Sequence, residues 1–132
     1  CAPDIVELAQ SRRLSVDAAA SAYFGVGAAF GLDWLRSRIE ALDIDGHWHA
    51  VARGSLREAL YEIHRGLVQR VLDETRERDP ARALQRWQNK HGAAAAHAQA
   101  VVGDIRAQPA GADFASLSVA LQAVRRLVVA ER

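Results

Sequence analysis

The chain of 132 residues contains one cysteine, Cys1, and no methionine. A single cysteine excludes an internal disulfide framework and fits a reducing compartment, so a cytoplasmic location is expected. The missing methionine leaves no initiator, as expected of a piece of a longer polypeptide. Lysine is nearly absent: Lys90 is the lone lysine among the 17 Lys and Arg side chains. Such an arginine- and alanine-rich composition points to a GC-rich bacterial genome. Neither sign of charge is in excess. The formal net charge of +1 gives no electrostatic case for nucleic acid or an anionic membrane surface as a partner. No apolar run reaches the ~20 residues of a membrane-spanning helix, and no basic-then-apolar segment marks a signal peptide. A lipid-modified N-terminal cysteine would call for a flexible polar tether, yet helix signals begin by Asp4.

Aromatic residues make up only 6% of the chain, so the core is expected wherever they gather. They gather in Tyr23 to Ile39, YFGVGAAFGLDWLRSRI, where Tyr23, Phe24, Phe30 and Trp34 stand among Gly25, Gly27, Ala28, Ala29 and Gly31. The 50% hydrophobic content is largely alanine, which favours closely packed helices, and the length suits one domain with a real core.

The periodicity is helical throughout. Pro3 and Asp4 open a short helix that ends near Arg12 and Arg13. Ser15 caps a second helix, which Gly31 closes, and Asp33 is expected to cap a third. Asp43 to Gly46 reads as a turn. A long helix follows from about His47 to Arg78, with the stripe Leu56, Leu60, Ile63, Leu67, Val71. Arg70–Glu74 and Glu74–Arg78 are expected as i,i+4 pairs worth ~0.2–0.5 kcal/mol each. Gly54 and Gly66 suggest a close neighbour. Asp79-Pro80 stops this helix and caps the next, which runs to about Arg106 with the seam Leu84, Trp87, His91, Ala94, Ala98, Val101, Ile105. After a Pro/Gly linker, Asp113 caps a last helix with the seam Phe114, Leu117, Leu121, Val124, Val128. The expected fold is therefore all-α, a helical bundle of five to six helices. Residues 1–132 form one domain, with a short-helix cap over 1–45 and three long helices over 46–132. The expected core is Tyr23, Phe24, Phe30, Trp34, Leu35, Trp48, Leu60, Ile63, Leu67, Leu84, Trp87, Val101, Leu117 and Leu121.

Candidate chemistry is thin. Gly25-Val26-Gly27 lacks the third glycine of a dinucleotide loop, since Phe30 stands there, and a helical pattern precedes it where a strand is required. The glycines are better read as letting helices approach. His47 and His49 alternate, so on a helix they point to different sides and cannot share a metal ion. His91 falls in a seam as a buried neutral imidazole, and His64 with Glu62 and Arg65 reads as a solvated face. No Ser-His-Asp grouping emerges, and Cys1 is the sole thiol. No catalytic, cofactor-binding or metal-binding residue is assigned.

Ala2-Pro3-Asp4-Ile5-Val6, Ala22-Tyr23-Phe24-x-Val26-Gly27 and Phe30-Gly31-Leu32-Asp33-Trp34-Leu35 resemble the C-terminal part of the large bacterial NAD-specific glutamate dehydrogenases. Trp48 and the Leu60-Tyr61 region continue the likeness, while the last helices match only in character. The resemblance implies a parent enzyme that converts L-glutamate, NAD+ and water to 2-oxoglutarate, ammonium and NADH. It places the catalytic and NAD-binding domain upstream in the same chain and implies a homo-oligomer. The family's chemistry uses lysines in a glycine-rich pocket. This chain offers only Lys90, on a helix, so no catalytic residue transfers and the piece alone is expected to be inactive, with no cofactor of its own. The expected role is structural, interdomain or in oligomerisation. The alternatives are an effector-binding module with a cavity near Tyr23, Trp34 and Trp48, or an independent bundle that self-associates through the 84–105 seam.

Overall fold

The structure, a computed structural model, describes residues 3–42, 47–108 and 113–129, with the side chains of 47–49 outside the description. The described residues form six helices: α1 (Pro3–Arg12), α2 (Val16–Ala29), α3 (Leu32–Glu40), α4 (His47–Thr75), α5 (Pro80–Arg106) and α6 (Phe114–Val129). They contain no strand. Cys1, the Asp43–Gly46 turn and the Trp48 side chain lie outside the described residues.

Local chemistry sets most boundaries. The Ser15 hydroxyl accepts from the Ala18 N–H at 3.1 Å at the start of α2, and Asp79 accepts from the N–H groups of Ala81 and Arg82 ahead of Pro80. Asp113 Oδ1 accepts from the Ser116 N–H at 2.8 Å at the head of α6. Two boundaries differ from expectation. Asp33 is not the cap of α3: Gly31 holds that place, and its carbonyl already accepts from the Leu35 N–H. The α4 helix ends at Thr75, because Arg76 takes a left-handed φ of 52°. Arg78 then lies beyond the helix and donates to the Arg13 carbonyl, so the i,i+4 geometry with Glu74 is lost.

One hydrophobic cluster draws on all six helices. Within it α2 packs on α1, α3, α4 and α5, and α6 packs on α3, α4 and α5. Trp87 is completely buried, with Phe30 edge-on at 6.0 Å between ring centroids. The α4 stripe Leu56, Leu60, Ile63, Leu67 and Val71 is buried throughout. Tyr23, Leu35, Leu117 and Leu121 are buried too, and Trp34, Leu84 and Val101 are half-buried against the cluster.

Three expectations are corrected. Phe24 is 52% exposed, because it sits one residue, ~100° of helix turn, from Tyr23 and so off the inward face of α2. Phe114, at the first position of α6, is likewise exposed. The buried row of α5 runs Ala83, Trp87, Ala95, Ala98, Val102, Ile105, in place of Leu84, Ala94 and Val101. The expected seam assumed the 3.5-residue repeat of supercoiled pairs. The observed row follows the ~3.6-residue period of a straight helix and is broad, because α5 has α2, α4 and α6 as neighbours.

The glycines divide by surroundings. A Cβ on Gly66 would stand 2.7 Å from Val128 Cγ1, so close approach of α6 explains it, whereas Gly54 has open space. Gly31 has both a φ of +70° and Val102 Cγ1 at 2.8 Å from where a Cβ would be. Gly31→Ala therefore combines a left-handed penalty of ~1 kcal/mol with overpacking of ~1–3 kcal/mol. A loss of about 2–4 kcal/mol in urea denaturation is expected.

Candidate functional site

A groove of about 610 Å³ lies where α1, α2, α3 and α4 meet. Ile5, Ile39 and Leu60 line it together with the rings of Tyr23, Phe24 and Tyr61. Each reaches the groove for a local reason. Phe24 is turned off the core face of α2 toward it, and Pro3 and Ile5 arrive with the first turn of α1. Its rim carries both signs of charge, from Asp4, Arg36, Glu40 and Arg57. Arg57 grips Glu40 with two bonds, at 2.6 and 2.8 Å, and this hydrogen bond holds the Glu40 carboxyl below its ordinary range. Tyr61 donates to Asp4, which pushes the phenol pKa up.

Behind the groove stands His64. It was expected on a solvated face and is fully buried. Its ring stacks on Tyr23, centroids 3.7 Å apart. Nε2 lies 2.7 Å from the Tyr23 carbonyl, so Nε2 carries the hydrogen and donates it, and Nδ1 is left to face Arg36 Nη2 at 3.4 Å. Arg36 also donates to the Tyr23 hydroxyl at 3.3 Å. Burial lowers the imidazole pKa, the Tyr23 carbonyl opposes that, and the Arg36 charge adds to the lowering. The ring is thus a neutral tautomer fixed by its partners. Space for it comes from Gly27, where a Cβ would stand 3.1 Å from His64 Cε1 and from Asp33 Oδ1.

The second polar cluster surrounds Glu74, whose side chain is 2% exposed. Its Oε1 accepts from Lys90 Nζ and His91 Nε2, each at 3.0 Å. Its Oε2 accepts from Arg70 Nε at 3.0 Å and Trp87 Nε1 at 2.9 Å. Four donors fill the roughly four lone-pair sites of a carboxylate. Burial alone would raise this carboxyl, but the bonds from Trp87, His91, Lys90 and Arg70 outweigh it and hold the pKa at about 2. Arg70 Nη1 also donates to the carbonyls of Leu127 and Val128 at the end of α6. The expected i,i+4 pair Arg70–Glu74 is therefore a buried tie between α4, α5 and α6.

The expected site residues are thus dispersed. Tyr23 and Phe24 line the groove, but Trp34 does not, and stands instead near the Arg106 guanidinium at 6.0 Å. The side chains of His47, Trp48 and His49 are outside the description. Gly25 and Gly27 lie inside α2, and Gly27 faces an imidazole and a carboxylate, so they form no cradle for a dinucleotide phosphate. No group of three or more metal-ligating side chains occurs among the described residues, and none of their helices is long and apolar enough to cross a membrane. Sequence reasoning missed His64 and the Glu74 cluster. Gly27 and the spacing of residues 87, 90 and 91 were the available signals.

Comparison with known proteins adds the following. Residues 1–126 match the family described as glutamate dehydrogenase, C-terminal. The NAD-specific glutamate dehydrogenase of Mycobacterium tuberculosis is 29% identical over 109 residues, which cover 82% of this chain and 7% of that protein. The chain therefore spans a small fraction of this relative's length. No solved structure matches it significantly.

Proposed function

Because the chain belongs to the glutamate dehydrogenase C-terminal family, we propose that it is the non-catalytic helical end of an NAD-dependent glutamate dehydrogenase. The parent would convert L-glutamate, NAD+ and water to 2-oxoglutarate, ammonium and NADH, with NAD held upstream. In this reading the chain works as one domain, short helices over 1–45 capping long ones over 46–132. Its task is packing against the upstream domain of its own polypeptide within a homo-oligomer. The observation that carries the reading is the saturation of its two buried polar clusters. Glu74 accepts four bonds, and His64 is fixed between Tyr23 and Arg36. Neither keeps a lone pair or proton in reach of a substrate.

The test has two arms. The purified chain should show no glutamate-dependent reduction of NAD+, and the parent polypeptide lacking residues 1–132 should lose assembly or at least tenfold in activity. Turnover by the chain near the parent's rate, or a truncated parent that assembles and works normally, would refute the proposal.

A further inference from the structure

We propose that the groove between α1, α2, α3 and α4 is the seat of the polypeptide segment immediately preceding residue 1 in the parent protein, docked through apolar side chains. This rests on the reading of the chain as the C-terminal part of a much longer protein, as its 7% share of the Mycobacterium relative indicates. It assigns a surface and an occupant that this reading leaves open.

The chemistry of the groove selects an apolar occupant. Phe24 and Tyr61 stand on α2 and α4 and are 52% and 41% exposed, while Tyr23, Phe30 and Trp87 are buried. Two half-exposed rings above a floor of Ile39 and Leu60 make an apolar concavity of about 610 Å³, room for a few large side chains. Each rim charge already has a hydrogen-bond partner within the domain. Arg57 is committed to Glu40 through two nitrogens, Asp4 accepts from Tyr61, and Arg36 is engaged by Tyr23 and His64. An aliphatic or aromatic side chain entering the groove breaks none of these contacts.

Chain geometry selects which apolar segment. Pro3 opens α1 and itself lines the groove, so the backbone enters the domain at the groove's rim. A segment tethered there competes at an effective concentration of roughly millimolar, and even weak apolar contacts then suffice for occupancy.

The test uses the whole parent polypeptide. Hydroxyl-radical footprinting compares Phe24 with Phe114, a phenylalanine of similar exposure (46%) on α6 that serves as the internal standard. Phe24 should be modified at least fivefold more slowly than Phe114. A photoreactive p-benzoylphenylalanine in place of Phe24 should cross-link within the same chain, to residues shortly before residue 1. Phe24→Glu should restore reactivity at Tyr61 to the level of an open surface. Equal reactivity of Phe24 and Phe114 overturns the proposal. So does a cross-link to a second copy, or to a distant stretch of the chain. These results are separable from the function proposed above: a truncated parent that keeps its assembly and activity removes the interdomain role, whereas an open groove in a parent that depends on this domain removes only the docking assignment.

Discussion

Glu74→Ala is expected to destabilise the domain by ~3–5 kcal/mol at neutral pH, the usual cost of breaking a buried pair from one side. The carboxylate side chain is 2% exposed and the Arg70 side chain 6%. Its removal takes one carboxylate partner from the buried Arg70 guanidinium and deprives the Trp87 indole of an acceptor. The pH dependence carries the same signature. Glu74 is held at about 2 against an ordinary 4.5, so on acidification the unfolded chain takes up this proton first. The stabilisation is complete above pH 4.5 and is lost as the pH falls toward 2. Two to three pKa units correspond to ~3 kcal/mol. Urea unfolding between pH 7 and pH 2 should show this loss in the native protein and a flatter profile in Glu74→Ala. A neutral-pH cost below 1 kcal/mol would contradict the saturated geometry.

Trp87→Ala should cost a similar ~3–5 kcal/mol, here from the cavity left by a large, completely buried side chain. Part of the loss is polar, since the indole N–H donates to Glu74 at 2.9 Å. Trp87→Phe keeps most of the volume but removes that donor, and should cost about 1.5–3 kcal/mol, as for a hydrogen bond to a charged group. The double variant of Trp87→Ala and Glu74→Ala should lose less than the two single losses combined, because both remove the same bond. Strict additivity in denaturant midpoints would show that the two side chains act independently.

How much of this was legible from residues alone depended on whether one helix or several fixed the outcome. The caps at Ser15 and Asp79, the closing Gly31 and the α4 stripe were readable, because each is settled within a few neighbouring positions. The all-α bundle followed from them. His64 was not readable. One position beyond Ile63 it belongs to the solvent side of a helix with a single neighbour, but α4 is packed by α2, α3, α5 and α6, so its buried face is wide. The same breadth shifted the α5 row to Ala83, Ala95 and Val102. Glu74 was half readable. Its bond to Arg70 is a local i,i+4 contact, while those to Trp87, Lys90 and His91 depend on how the Asp79–Pro80 corner folds α5 back along α4. The groove was least readable, since it is built from four helices and its clearest mark, Phe24, was expected in the core.

The scarcity of lysine acquires a use from the place of its single example. Lys90 is half exposed and its amine rests on Glu74 Oε1, where the buried tie reaches solvent. An amine-selective label therefore has a single side-chain target in these 132 residues, and its rate of attachment reports whether that tie is closed. The chain carries its own reporter of native packing, placed on the α4–α5 contact.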